Sequence, residues 1–396
     1  FTDPEKSARL YPHGAKPDLA VPDTWKKMDE IIAYWQDLGV DGFRADMAQM
    51  VPPEFWRWLI GRSHLRRPDV YWVAEAYDTD PARVPGGDPE VIAVTEGAVM
   101  PELLAAGFDA VYDDVSYDAL KNIYEGRGTA NDLDTCRPGP FFFDNALRYA
   151  ENHDEVRLAA VSQWGGHGMD VGRPLSALLF GLSRGPVMLY HGQEVGEPGA
   201  GAEGFGRDDA RTTIYDYWSM PEFVKWVNGG KFDGGGLSMR QKSLRDFYRR
   251  LLSAIDQPAF REGDFYPLNP DNLANPAYGR SEGGVSGHWL YSYLRYDQNS
   301  GQRVLVVVNL HPRLPLRDVH IIFPRRAMRF LGWDTLAGSE TVPVVARDLL
   351  GEVPGEVAEI ATTPARMEKP GLLIKELQPM AAAYYELRSG AARATP

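Results

Sequence analysis

Val40-Asp41-Gly42-Phe43-Arg44-Ala45-Asp46-Met47 reads as a short buried strand in which apolar residues close around an Arg and an Asp. Turn-forming Pro52 and Pro53 follow it. Alternate side chains of a strand share a face, so Arg44 and Asp46 project together. A cation beside a carboxylate favours the ionised form, which a nucleophile or an ion-pairing group requires. Taken alone, an Arg-x-Asp serves a structural salt bridge as readily as a site. Two further runs shift that balance. Val70-Tyr71-Trp72-Val73-Ala74-Glu75-Ala76-Tyr77 is a second apolar run with one acid near its C-terminal end, and Leu147-Arg148-Tyr149-Ala150-Glu151-Asn152-His153-Asp154 ends in a polar cluster. Helical segments separate the three. Parallel β/α barrels deliver acids to the C-terminal rim in this way, so the expected fold class is α/β.

Taken in order, the three stretches resemble conserved regions II, III and IV of the α-amylase family, glycoside hydrolase family 13. Gly42-Phe43-Arg44-Ala45-Asp46 is similar to the G-x-R-x-D nucleophile motif, Glu75 follows Asp46 by 29 residues, and Asn152-His153-Asp154 is similar to the family's N-H-D. The resemblance implies that Asp46 is the nucleophile, Glu75 the general acid/base and Asp154 the stabiliser of an oxocarbenium-like transition state. Arg44, Asn152 and His153 are then neighbours that bind substrate or orient the acids. A retaining pair of carboxyl groups stands ~5–5.5 Å apart. Ala74, Ala76, Trp72 and Tyr71 around Glu75 predict an apolar setting that favours the protonated acid. His191-Gly192-Gln193-Glu194-Val195-Gly196 resembles the family motif that follows the last barrel strand.

The function so implied is a retaining glycoside hydrolase acting on α-1,4-linked glucans or maltooligosaccharides. The alternatives are an α-glucan transglycosylase (a glucanotransferase or maltosyltransferase) and a truncated, non-catalytic carbohydrate-binding relic. After Asp46 the chain runs Met47-Ala48-Gln49-Met50, without the Lys-His pair of many endo-acting α-amylases. The run Phe55-Trp56-Arg57-Trp58-Leu59-Ile60 and Ala74-Glu75-Ala76 are loosely similar to maltosyltransferases of the family.

The chain's 396 residues have room for two domains. The expected division is a partial (β/α)8 barrel over residues 1–260 and an all-β C-terminal sandwich over residues 261–396. Strands four to eight of the barrel have candidates, the last three being Phe108–Asp113, the 147–154 run and Pro186–Tyr190. Strands one to three and region I, an Asp-x-x-x-Asn-His stretch, have none, so the resemblance covers the C-terminal two-thirds of such an enzyme and leaves strands four and eight as open edges. The opening Phe1-Thr2-Asp3-Pro4 has no initiator Met or apolar leader, which leads to the expectation of a fragment or processed product.

Asp23 is expected to cap a helix to Leu38 with one apolar face of Trp25, Met28, Ile31, Ile32, Trp35 and Leu38, ended by Gly39. Pro52-Pro53-Glu54 opens a second helix that buries Phe55, Trp56, Leu59 and Ile60. Further helices are expected over Asp118–Tyr124, Pro174–Leu182 and Ser243–Ile255. Beyond residue 260, runs at Trp289–Leu294, Val304–Val308, Val319–Phe323 and Ala381–Glu386 alternate with turn residues and read as strands.

A formal net charge of −13 argues against a nucleic-acid partner, whose binding rests on cationic contacts to phosphate. No apolar run approaches the ~20 residues of a membrane span, and the partner that the resemblance implies is an α-glucan or maltooligosaccharide substrate. The eight histidines show no zinc-type spacing, and no metal or other cofactor is expected; calcium occurs in the family, but its ligands come partly from upstream segments. The single cysteine, Cys136, precludes an intrachain disulfide and reads as an incidental thiol, which slightly favours a reducing compartment such as the cytoplasm.

Overall fold

The structure, a computed structural model, describes residues 21–77, 100–135, 143–200, 209–212, 214, 219–280, 284–351 and 359–390. Residues 1–20, the stretch 78–99, Cys136, residues 201–208, 213 and 215–218, and the tail from Ala391 lie outside the described residues. The chain divides into two compact units, one of Phe1–Asp114 with Pro138–Leu147 and one of Val115–Arg137 with Arg148–Pro396.

In the first unit, β1 (Gly42–Ala45), β2 (Tyr71–Ala74), β3 (Ala110–Tyr112) and the first half of β4 (Ala146–Tyr149) lie side by side. Each pairs in parallel with the next strand of the chain, with Phe43 opposite Trp72, Ala74 opposite Val111 and Tyr112 opposite Leu147. Parallel neighbours need a crossover, and the helix Pro53–Arg66 provides one between β1 and β2. Its proline sits in the first turn, where a missing N–H is tolerated, and Phe55, Trp56, Leu59 and Ile60 are buried as the spacing predicts. Trp72 packs against Phe43 and Phe108, and Trp56 meets Phe108 edge-on, so aromatic rings fill the space between sheet and helix.

The first helix corrects the apolar-face reading. Asp23–Asp37 is helical, but Asp23 is its first residue and its side chain caps nothing. Ile32 is buried, and Trp25 and Met28 are partly buried against the core, whereas Ile31, Trp35 and Leu38 are exposed. In their place Asp29 and Gln36 turn inward. Asp29 accepts from Arg62 Nε and Arg66 Nη1, each at 2.6 Å, and Gln36 Nε2 donates to the Ser63 carbonyl at 3.1 Å. Burial opposes the charge on Asp29, yet the Arg66 and Arg62 guanidiniums hold its carboxyl below the usual range. The neighbouring helix ends in cations, so the polar side of the first helix packs against it.

In the second unit the remaining half of β4 pairs in parallel with β5 (Val187–Met188), Arg148 opposite Val187. The helix Asp114–Tyr124, longer than expected by four residues, stacks Tyr117 on Tyr149 with ring centroids 5.4 Å apart. The helix Gly172–Phe180 starts and ends two residues before the predicted bounds. Met239–Ile255 begins four residues early because Ser238 and Gln241 form a reciprocal capping box. The succession of parallel strands and helices across β1 to β5 is that of part of a (β/α)8 barrel.

Beyond it the chain is mainly antiparallel. β6 (Asp264–Pro267), β7 (Leu290–Tyr296), β8 (Arg303–Asn309), β9 (Leu316–Ile321), β10 (Val344–Asp348), β11 (Glu359–Thr362), β12 (Leu372–Leu377) and β13 (Ala382–Ser389) follow in sequence. Six of them form a sheet in the order β11-β10-β13-β8-β7-β6, and β12 pairs with β9 in a second. Leu294, Leu305 and Val307 of the first sheet share one buried core with Val319, Ile321, Leu372 and Ile374 of the second. All four expected runs are strands; β6, β10, β11 and β12 gave no sequence signal, and neither did a helix over Arg325–Phe330.

Within this unit Tyr293 Oη donates to the Leu178 carbonyl at 3.1 Å, and Tyr384 Oη donates to that of Ala177. Buried Arg295 donates to the carbonyls of Leu182, Phe260, Gly263 and Ala259. Gly181 leaves room for both tyrosines: a Cβ there would press on Tyr293 Oη and lie 2.8 Å from Tyr384 Oη. Gly181→Ala is therefore expected to lower stability by about 1–3 kcal/mol, the usual effect of overpacking, seen as an earlier midpoint in urea denaturation.

Candidate active site

The parallel register brings the two expected acids to one level. Glu75 N donates to the Ala45 carbonyl and Ala48 N to the Glu75 carbonyl, both at 3.0 Å, so Asp46 and Glu75 leave adjacent strands at the same end. Gly42 permits this close pairing, since a Cβ there would stand 2.6 Å from the Tyr71 carbonyl oxygen. Met47 adopts the left-handed region, with φ 46°, and turns its backbone N–H to Glu75 Oε2 at 2.8 Å.

Arg44 joins the two acids. Its Nη1 pairs with Asp46 Oδ1, its Nη2 with Glu75 Oε1 at 2.8 Å, and its Nε donates to Tyr112 Oη at 3.3 Å. Tyr77 Oη donates to Glu75 Oε1 at 2.7 Å. This corrects the apolar setting expected for Glu75. Its carboxyl is buried, but a guanidinium, a phenol and a backbone N–H converge on it. Strand alternation explains the difference, because it separates Trp72 from the face that Glu75 shares with Tyr77. Asp46, by contrast, keeps 72% of its side chain exposed.

The second unit carries the remaining residues. Asn152 is buried, and its Oδ1 accepts from the backbone N–H of Asp154 at 2.8 Å and of Glu155 at 2.9 Å. It therefore shapes the turn that presents Asp154, while its Nδ2 has no hydrogen-bond partner among the described residues. His153 Nε2 lies 3.0 Å from Asp154 Oδ2, and the Asp154 side chain is 43% exposed.

Behind this turn stands a group that the motif reading missed. Arg157, fully buried, pairs through Nη1 with Glu151 Oε1 at 2.9 Å, donates through Nη2 to the His191 carbonyl at 2.9 Å, and lies 4.2 Å from the Tyr190 ring centroid. Burial pushes the Glu151 carboxyl up, and Arg157 opposes that shift. Burial and then the Arg157 charge push the His191 imidazole down. Glu194, of the motif after β5, is also pushed up by burial and accepts from Gly192 N at 3.0 Å. Tyr77 could have been found by its period-two spacing from Glu75; Arg157 had no signal beyond following Asn152-His153-Asp154 by three residues.

The structure thus gathers Arg44, Asp46 and Glu75 in the first unit and Asn152, His153 and Asp154 in the second. Among the described residues, no group of three or more His, Cys, Asp or Glu could hold a metal ion, and no helix is long and apolar enough to cross a membrane.

No family model matches the chain. Among curated proteins it is 27% identical over 319 residues to the α-1,4-glucan:maltose-1-phosphate maltosyltransferase of Corynebacterium glutamicum, covering 78% of this chain and 38% of that protein. It is 32% identical over 215 residues to the α-amylase MalA of Haloarcula japonica, covering 53% of this chain and 27% of that one. The chain therefore spans well under half the length of these relatives. Among solved structures, the α-amylase of Geobacillus thermoleovorans superposes with a TM-score of 0.55 at 17% identity, over 95% of this chain and 66% of that one. Its likeness bears on the fold alone. The relatives named for glucan transfer and amylase activity relate the chain to the α-amylase family, glycoside hydrolase family 13, and the barrel portion agrees with the fold of such enzymes.

Proposed function

We propose that the protein is a retaining glycoside hydrolase that cleaves α-1,4-linked glucans or maltooligosaccharides through a covalent glycosyl-enzyme intermediate. The observation that carries this reading is the pairing of Asp46 and Glu75 with the two terminal nitrogens of one guanidinium. That arrangement keeps the carboxyl groups as near neighbours, as a retaining pair must be. Asp46 attacks the anomeric carbon while the bond to the leaving oxygen breaks, and Glu75 gives that oxygen its proton. Glu75 then takes a proton from water, whose oxygen attacks the same carbon and releases Asp46. Arg44 orients both acids. Asp154, held by the Asn152 turn and His153, is proposed to bind sugar hydroxyls and favour the oxocarbenium-like transition state. We place the boundary between the barrel portion and the β-rich domain near residue 260.

Transfer is the second reading, supported by relatives named as maltosyltransferases. It uses the same intermediate, with a sugar hydroxyl replacing water. An NMR time course with maltoheptaose tests both. The expected result is α-anomeric product appearing first and mutarotating later, with longer oligomers present if transfer competes. β-Anomer appearing first would overturn retention. Binding without turnover by the folded protein would overturn the enzymatic reading and favour a carbohydrate-binding role.

A further inference from the structure

We infer that Tyr77 is a positioning residue that acts through Glu75; the inference rests on the acid/base role proposed above. Four observations support it. Tyr77 Oη donates to Glu75 Oε1 at 2.7 Å, the same oxygen that Arg44 Nη2 reaches at 2.8 Å. The other oxygen, Oε2, is fixed by the Met47 N–H, so each carboxyl oxygen has a defined partner. The Tyr77 ring meets Tyr112 edge-on, with centroids 6.4 Å apart and planes at 90°. Tyr112 in turn accepts from Arg44 Nε at 3.3 Å and lies under the guanidinium, 5.6 Å from ring centroid to Cζ. Tyr77, Tyr112 and Arg44 therefore form a closed bracket around one edge of the acid.

The groups that face Glu75 from the packed strands act in a common direction. Arg44 and the Met47 N–H come from the β1 side, Tyr77 follows β2, and Tyr112 of β3 acts through Arg44, whose other nitrogen holds Asp46. Because Tyr77 and Arg44 share one carboxyl oxygen and the Met47 N–H holds the other, Tyr77 fixes the direction in which Glu75 presents its proton.

The test is Tyr77→Phe, which keeps the ring and its contact with Tyr112. It is assayed in the purified protein beside wild type, with two substrates. Maltoheptaose needs proton donation to its leaving oxygen, whereas a nitrophenyl α-maltotrioside has a leaving group that departs with little help. With wild type active on both, kcat/KM for maltoheptaose is expected to fall about 10- to 100-fold, and for the aryl substrate several-fold less. Equal losses on both substrates, in a variant that melts like wild type, would overturn the inference and leave the proposed reaction standing. Wild type inactive on both substrates would overturn the two together.

Discussion

Asp46→Asn is expected to abolish turnover of maltoheptaose, with kcat/KM falling on the order of 10⁴-fold or more, as for removal of a covalent nucleophile elsewhere. The amide keeps the shape of the side chain and can still accept from Arg44 Nη1, so the fold and the Arg44–Glu75 pair survive. What is lost is the charge proposed to attack the anomeric carbon. Chemical rescue separates this from damage to binding. With Asp46→Gly, added azide occupies the space of the missing carboxylate and attacks the same face of the sugar, giving a β-glycosyl azide from an α-linked donor. Recovery of that product identifies Asp46 as the attacking group. Wild-type rates in Asp46→Asn would place the nucleophile elsewhere.

The second large effect falls on stability. Arg157→Met is close to volume-conserving but leaves Glu151 buried with one backbone donor, Leu158 N, in place of its guanidinium. Breaking a buried pair from one side typically lowers stability by about 3–5 kcal/mol. The loss also depends on pH. Burial already raises the Glu151 carboxyl, and without Arg157 nothing comparable offsets it. The folded variant then holds a proton that the unfolded chain releases above its ordinary value of about 4.3. Stability falls wherever the folded state binds more protons. The wild type shares the lower part of that pH window, because its own Glu151 is already raised; the deficit of Arg157→Met is therefore level up to the wild-type folded value and grows as pH rises from there to the higher value of the variant. Urea denaturation of wild type and variant at acidic and neutral pH measures it; a deficit independent of pH would mean that Glu151 is not the affected group.

How much the sequence foretold depended on where each residue found its partner. Period-two alternation placed Arg44 beside Asp46, and their neighbours in the strand sufficed to see it. The buried face of Pro53–Arg66 was equally local. Asp29 and Gln36 were not, since Arg62, Arg66 and the Ser63 carbonyl that satisfy them lie about thirty residues along the chain. A polar residue buried by a distant partner looks like a surface residue until the helices meet. The same holds for Glu75, whose apolar sequence neighbours point away while Arg44 arrives from the next strand. The missed strands carry Asp264, Arg347, Glu359, Lys375 and Glu376 in short spans, where exposed charges interrupt the apolar alternation.

The shared guanidinium of Arg44 has a consequence for descent. Two acids that each owned a counter-charge could drift one at a time, with the other still held in place. Here one substitution at position 44 takes the counter-charge from both, although the Tyr77 hydroxyl and the Met47 N–H still hold Glu75. The three positions are therefore expected to vary together: a chain that loses Arg44 is left with two neighbouring carboxylates that have lost their common cation.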